Sequence, residues 1–144
     1  MTDDAWAALA DPFVDGASAT VKGRVRTFVM HQQLLAHLGE PPATVLDVGG
    51  GAAHQSLPLA RLGFDVTILD PSAVMLAKAR QRVSAEPEEV QRRVRLVEAA
   101  GEDAAEATSG QQFAAVLCHG VLMYLERPEP VVRALCRCVA PGGV

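Results

Sequence analysis

Three consecutive glycines, Gly49, Gly50 and Gly51, follow directly on an apolar run, and a second apolar run further along the chain ends in Asp70. Glycine has no Cβ, so a loop built from it lets backbone N–H groups approach a ligand closely and takes up positive φ at no steric cost. A carboxylate at the end of a neighbouring strand can accept two hydrogen bonds, which suits the vicinal hydroxyls of a ribose. In open α/β sheets ligands bind beyond the carboxyl ends of the strands, where the strand order switches. The glycines and Asp70 therefore read together as a nucleoside-binding site. The competing reading is a tight turn followed by a helix-capping Asp.

The residues around the glycines narrow the ligand. A dinucleotide loop has the pattern G-x-G-x-x-G, but Gly51 is followed by Ala52, Ala53 and His54, so the third glycine is missing. There is no Gly-Lys-Ser/Thr, which excludes a phosphate loop. Asp47 precedes the glycines by two positions. A carboxylate there opposes a pyrophosphate and suits a positive group such as an amino acid ammonium. A nicotinamide-dependent oxidoreductase is thus the weaker alternative.

These residues need elements to hold them. Val25, Phe28, Val29, Leu34, Leu35 and Leu38 approximate helical spacing and predict an amphipathic helix over 22–38, stopped by Gly39 and Pro41-Pro42. Short apolar runs predict strands over 44–48, 64–69, 94–97 and 113–118. Between them the pattern predicts helices over 54–62, with Pro58 tolerable only near the first turn, and over 71–83. Residues 84–89 read as a polar break, 101–110 as a loop with room for a short helix, and a last helix opens at Pro128 and Pro130 and runs to Val139. Continuously apolar strands alternating with helices mean a parallel sheet covered on both faces, closed by right-handed crossovers into an open α/β sheet. The ending VAPGGV resembles a turn into a further strand, and a fourth strand left at the edge would be a long apolar edge. The expectation is a chain that is part of a longer fold.

Composition sets outer bounds. At 144 residues, 49% hydrophobic and 21% charged, the chain suits one globular domain. No apolar run approaches the roughly 20 residues of a membrane span, and the acidic start MTDDAWAALADPF lacks the basic and apolar regions of a secretion signal, so the expected location is the cytoplasm, without a membrane partner. A net charge of −4 argues against a generally basic nucleic-acid binder, although Lys22, Arg24 and Arg26 form a local basic cluster, as do Arg92, Arg93 and Arg95. Cys118, Cys136 and Cys138 are odd in number and contain no CxxC pair, which argues against a disulfide framework or a metal site. They read as buried or half-buried thiols.

Taken together, these motifs resemble the class I S-adenosylmethionine-dependent methyltransferases. Their acid-x-Gly-x-Gly-x-Gly motif is matched by Asp47-Val48-Gly49-Gly50-Gly51-Ala52-Ala53, with Ala in place of the last glycine, and their acid after the second strand by Asp70. Ala99-Ala100-Gly101-Glu102-Asp103 is similar to the stretch that contacts adenine, and FAAVLCHGVLMYLERPEPVVRALCRCVAPGG to the fourth strand and its helix. The resemblance implies a Rossmann-like open parallel sheet with helices on both faces, of which the chain carries the N-terminal four strands. It also implies two parts: residues 1–42, a helical segment covering the cofactor, and residues 43–144, an S-adenosylmethionine-binding domain incomplete at its C-terminus. ATVKGRVRTFVMHQQL, through Lys22, Gly23 and Arg26, looks like the start of bacterial tRNA 5-carboxymethoxyuridine methyltransferases, as do the glycine triplet, Ala99-Ala100 and His119. Those proteins carry an acid where Ala52 stands and roughly another hundred residues. The acceptor implied is a carboxylate on a tRNA wobble uridine, with a small molecule as the alternative. A non-catalytic remnant that only binds the cofactor is the reading from another class.

The resemblance implies roles residue by residue. Asp70 holds the ribose, and the backbone of Gly49, Gly50 and Gly51 passes the methionine part. Asp47 orients that backbone and favours the ammonium. Arg26 pairs with the cofactor carboxylate, or is a solvated helix residue. Pro71 and Ala100 flank the adenine, near Gly101, and Glu102 or Asp103 bonds its amino group, or caps a helix. His119 contacts the cofactor or is structural. No general base is assigned, because a carboxylate acceptor is already ionised at neutral pH; such an acceptor would need a cation, with Lys22 and Arg24 as candidates. A carbon or hydroxyl acceptor would bring His119 forward as base.

Overall fold

The computed structural model describes residues 20–144. Residues 1–19 of the expected covering segment lie outside them. In chain order the elements are α1 (Val21–Leu35), β1 (Thr44–Val48), α2 (Ser56–Arg61), β2 (Asp65–Asp70), α3 (Ala73–Ser84), α4 (Glu88–Gln91), β3 (Val94–Glu98), α5 (Ala104–Ala107), β4 (Ala115–Leu117) and α6 (Glu129–Cys138). Single 3₁₀ turns at Gly101–Asp103 and Leu122–Tyr124 follow β3 and β4.

The four strands form one parallel sheet in the order β3-β2-β1-β4, so the expected Rossmann-like arrangement is present. The chain steps outward from β1 to β2 to β3, then returns across the sheet to place β4 on the other side of β1. The switch in strand order therefore falls between β1 and β4, with the glycines at its mouth. Side chains alternate across the strands. Val45, Val66, Ile68 and Ala115 face the helices α2, α3 and α4, where Leu57, Leu59, Phe64, Leu76 and Ala79 complete one core. Leu46, Val48 and Leu69 point the other way, towards Ala104, Ala134 and Cys138 of α5 and α6. Both faces are covered, which is why the strands are almost wholly apolar. The exception is the edge strand β3, where Arg95 and Glu98 are exposed, a charged edge of the kind that resists strand addition.

Several expected bounds shift for local reasons. The second helix starts at Ser56 rather than 54, which leaves Pro58 in its first turn, where its missing N–H costs nothing. The third helix is capped by Ser72, whose hydroxyl accepts from the Met75 amide at 3.3 Å. The fourth strand pairs with β1 only over residues 115–117. Phe113 instead bonds outward, to the carbonyl of Cys138 and the amide of Ala140, and Val144 bonds to Ala114 and Val116. The outer edge of β4 is thus partly occupied by the chain that follows α6. Of the three thiols, Cys138 is buried and Cys118 half-buried, but Cys136 is exposed, because two residues along a helix turn the side chain to the opposite side.

The larger correction concerns α1. Leu34, Leu35 and Leu38 pack against the core as the spacing predicts. Val25, Phe28 and Val29 do not: Phe28 is 63% exposed, and the helix has no fully buried residue. The face turned to the domain carries Gly23, Thr27, Met30 and His31, all partly buried. Helical spacing identifies an apolar stripe but not the surface it meets, and here only the C-terminal part of the stripe meets the core. No helix among the described residues is long and apolar enough to cross a membrane.

Burial assigns different weights to apolar residues that look alike in the sequence. Ile68→Ala, which empties a fully buried site, is expected to cost about 2–5 kcal/mol in urea denaturation. Phe28→Ala should change stability by no more than about 0.5 kcal/mol, as surface substitutions usually do. Equal losses for the two would refute the outward orientation of α1.

Candidate functional site

A cavity of about 380 Å³ opens at the carboxyl ends of β1, β2 and β4, within the range of small-molecule sites. Its floor is the loop that leaves β1. Gly49 and Gly51 have φ of 71° and 50°, conformations a side chain would resist. A Cβ at Gly49 would stand 2.2 Å from Cγ2 of Val121, and one at Gly51 would stand 2.8 Å from Cε of Met75. Both of those side chains belong to the cavity wall, so the loop stays bare because nothing larger fits between it and the wall.

Asp70 joins the two strands at this floor. Its Oδ2 accepts from the Gly51 amide at 3.0 Å and its Oδ1 from the Ser72 amide at 2.8 Å. A carboxylate has about four lone-pair sites, so each oxygen keeps capacity for another donor, and the side chain lines the cavity. Burial pushes its carboxyl above the ordinary value, against the pull of the Ser72 and Gly51 amides.

Of the residues singled out in the sequence, Gly49, Gly50, Gly51, Asp70, Pro71, Ala100, Gly101, Glu102 and His119 all line this one cavity. Glu102 does so and its neighbour Asp103 does not; nor does the Asp103 side chain cap the helix α5. His119 is exposed at the mouth of the cavity. Two residues stand elsewhere. Asp47 lies beneath the floor, 3% exposed, accepting from the Ser56 hydroxyl at 2.6 Å. A Cβ on Gly50 would meet its Oδ2 at 2.8 Å, so Asp47 supports the loop from behind. Burial raises its carboxyl, with Ser56 and His119 opposing and Asp70 adding to the rise. Arg26 is not part of the wall either. Its Nη2 lies 3.9 Å from where a Cβ on Gly120 would be, so it stands next to a wall residue.

Sequence reasoning missed the other walls: Met75 from α3, Val121, Tyr124 and Leu125 from the turn after β4, and Val131 from α6. Their signal was only apolar character, which does not separate a cavity wall from core. It also missed the support behind the loop. Arg82 Nη1 donates to the carbonyl of Ala52 at 2.8 Å and lies 3.0 Å from His54 Nδ1. Gln55 Nε2 donates to the Thr27 carbonyl of α1 at 3.3 Å. No group of three or more His, Cys, Asp or Glu among the described residues is arranged to hold a metal.

The site combines a bare backbone floor, a carboxylate with unused acceptor capacity and an acid beneath. It fits a ligand that carries hydroxyl donors and a positive charge. A family model described as a methyltransferase domain matches residues 45–143. The chain is 31% identical, over 147 aligned positions covering all of it, to tRNA 5-carboxymethoxyuridine methyltransferase of Escherichia coli (strain K12). It is 34% identical over 140 positions, 97% of the chain, to ubiquinone biosynthesis O-methyltransferase of Xanthomonas oryzae pv. oryzae (strain PXO99A). The chain spans about half the length of these curated relatives, 55% and 56%. Among solved structures, the glycopeptide N-methyltransferase MtfA complexed with S-adenosylmethionine superposes with a TM-score of 0.70 at 25% identity, over 79% of this chain and 50% of that one. A methyltransferase from Geobacter sulfurreducens in complex with S-adenosylhomocysteine gives a TM-score of 0.63 at 24% identity, over 81% and 44% of the two chains; at that identity the likeness is one of fold.

The His54 contact has a consequence for stability. Burial first, and the Arg82 charge second, hold the His54 ring down at about 4. The unfolded ring titrates near 6.5, so the unfolded chain takes up the proton first. Stability is complete above about pH 6.5 and is lost as the pH falls towards about 4. Asp47 and Asp70, whose carboxyls are raised, act in the opposite sense as they protonate. Between about pH 7 and about pH 4.5, the Tm of the wild type should fall more steeply than that of His54→Gln. Parallel profiles would remove His54 as the titrating group.

Proposed function

This chain belongs to the methyltransferase domain family, and from that premise we propose that it binds S-adenosylmethionine in the cavity above the glycine loop and serves an S-adenosylmethionine-dependent methyltransferase. The observation that carries the reading is Asp70: a carboxylate tied by one oxygen to the Gly51 amide, with acceptor capacity left and the cavity in front of it. The residues present fit the cofactor. The carboxylate suits the ribose hydroxyls, Pro71 and Ala100 offer apolar walls for an adenine ring, and Glu102 offers an acceptor for its amino group. The Gly49, Gly50 and Gly51 backbone leaves room for the methionine part. Asp47, from beneath, favours the positive ends of the ligand through its charge. Arg26 on α1, which on this reading covers the cofactor, is the cation for its carboxylate, a charge-assisted pair.

When bound, S-adenosylmethionine supplies a methyl carbon activated by its sulfonium, open to in-line displacement. The protein's part is positioning. The 49–51 backbone and Asp70 fix one end of the ligand, while Val121, Tyr124 and Leu125 form the facing wall.

For the acceptor, the alignment with the E. coli relative spans the whole chain, α1 included. It supports a tRNA wobble uridine carrying a carboxylate, which would place the work in the cytoplasm. Such an oxygen needs no base, and Lys22 and Arg24 of α1 are the cations to hold it. A second reading, O-methylation of a small molecule, is favoured by the exposure of His119 at the cavity, where it can take a hydroxyl proton.

Asp70→Asn removes the charge while keeping the shape. It should weaken S-adenosylhomocysteine binding about 10- to 100-fold by calorimetry, as the loss of hydrogen bonds to a charged acceptor implies. Binding unchanged in that variant would end the ribose assignment. Methyl incorporation from labelled cofactor, with tRNA lacking the final methyl group as acceptor, tests the finer reading. On that substrate His119→Ala should keep its turnover within about threefold, because no proton has to be removed. A loss of turnover with unchanged cofactor affinity would favour the hydroxyl acceptor.

A further inference from the structure

The turn from Ala52 to Gln55 joins the glycine loop to α2, and its conformation is demanding. Ala53 has a φ of 65°, a left-handed state that a residue with a Cβ holds only where its surroundings over-determine it. Local bonds supply part of that: the Ala53 amide donates to the Gly50 carbonyl at 3.0 Å, and the Leu57 amide to the Ala53 carbonyl at 3.0 Å. The remainder comes from α3. Arg82 Nη1 reaches the Ala52 carbonyl at 2.8 Å and His54 Nδ1 at 3.0 Å, so both N–H bonds of one nitrogen are used within this turn. A ring nitrogen that accepts from a guanidinium carries no proton, which makes His54 the Nε2–H tautomer. Arg61 and Glu86, paired with each other, are the nearby charges that act on the Arg82 guanidinium. Arg82 itself lines no part of the cavity.

We propose that Arg82 is a positioning residue for the cofactor loop: by tying the Ala52 carbonyl and the His54 ring to α3, it fixes the path of the chain that presents the Gly51 N–H to Asp70. The effect on ligand affinity rests on the cavity being the S-adenosylmethionine site; the effect on the loop does not. A guanidinium that merely packed α3 against the sheet would contribute to global stability and leave loop and affinity alone.

Two readouts on Arg82→Met separate these roles. Amide hydrogen exchange at Gly51 and Ala53, measured without ligand, should accelerate at least about tenfold while core amides such as Ile68 hold their protection relative to global stability. S-adenosylhomocysteine affinity should fall about tenfold, and Arg82→Lys, which keeps a charged donor, should recover it to within about threefold. Exchange at Gly51 and Ala53 equal to wild type would overturn the inference. If the loop loosens but the wild type binds no S-adenosylhomocysteine, the positioning role stands and the cofactor reading falls. If the wild type binds and the loop is unchanged in the variant, the reverse holds. Should Arg82→Met fail to fold, His54→Phe removes one of the two acceptors and carries the same exchange measurement, with wild-type protection at Ala53 again the overturning result.

Discussion

The hydrogen bond from the Gly51 amide to Asp70 is where the two halves of the site become one object. It requires β1 and β2 to be parallel neighbours in the observed register, so that the loop leaving one strand passes the last residue of the next. It requires Gly51 to be left-handed, and it requires the carboxylate to be buried in spite of the cost of stripping water from it. Two backbone amides offset part of that cost. Each oxygen keeps capacity for one more donor on the cavity side.

The electrostatics of the pocket follow from a second buried acid. Asp47 and Asp70 lie on either side of the glycine loop, one below it and one at its edge. Asp47 is held by the Ser56 hydroxyl and meets no cation in direct contact among the described residues. Burial raises both carboxyls, and Asp70 adds to the rise at Asp47. The same burial places Asp47 behind the loop rather than in the cavity: Gly50 lies against it, without space for even a methyl group between.

The helix α1 is held at one end by leucines and in its middle by polar contacts. Leu34, Leu35 and Leu38 anchor it to the core, while Gln55 reaches the Thr27 carbonyl. The turn that follows the glycine loop therefore faces two ways: towards α3 through Arg82 and His54, and towards α1 through Gln55. That turn connects the cavity floor to the element carrying Lys22, Arg24 and Arg26, although none of those three cations lines the cavity.

The alternation of apolar runs with helical spacing was enough to determine a parallel α/β sheet, because parallel strands covered on both faces leave almost no polar position to obscure the pattern. Glycines and Asp70 were likewise readable, since only a residue without Cβ and a residue with two acceptor oxygens perform those tasks. Nine of the expected site residues meet at one cavity because they sit at strand ends, and strand ends converge in any such sheet. Tertiary structure alone decided the remainder. Whether an apolar residue is wall, core or exposed stripe depends on what lies opposite it, so Met75, Val121 and Phe28 could not be told apart along the chain. Asp47 proved to stand under the loop rather than in the cavity, because strand alternation turned it to the α2 face. The contact of Arg82 with a carbonyl thirty residues earlier has no local signature at all: it exists only once β2 and α3 have brought the two segments together.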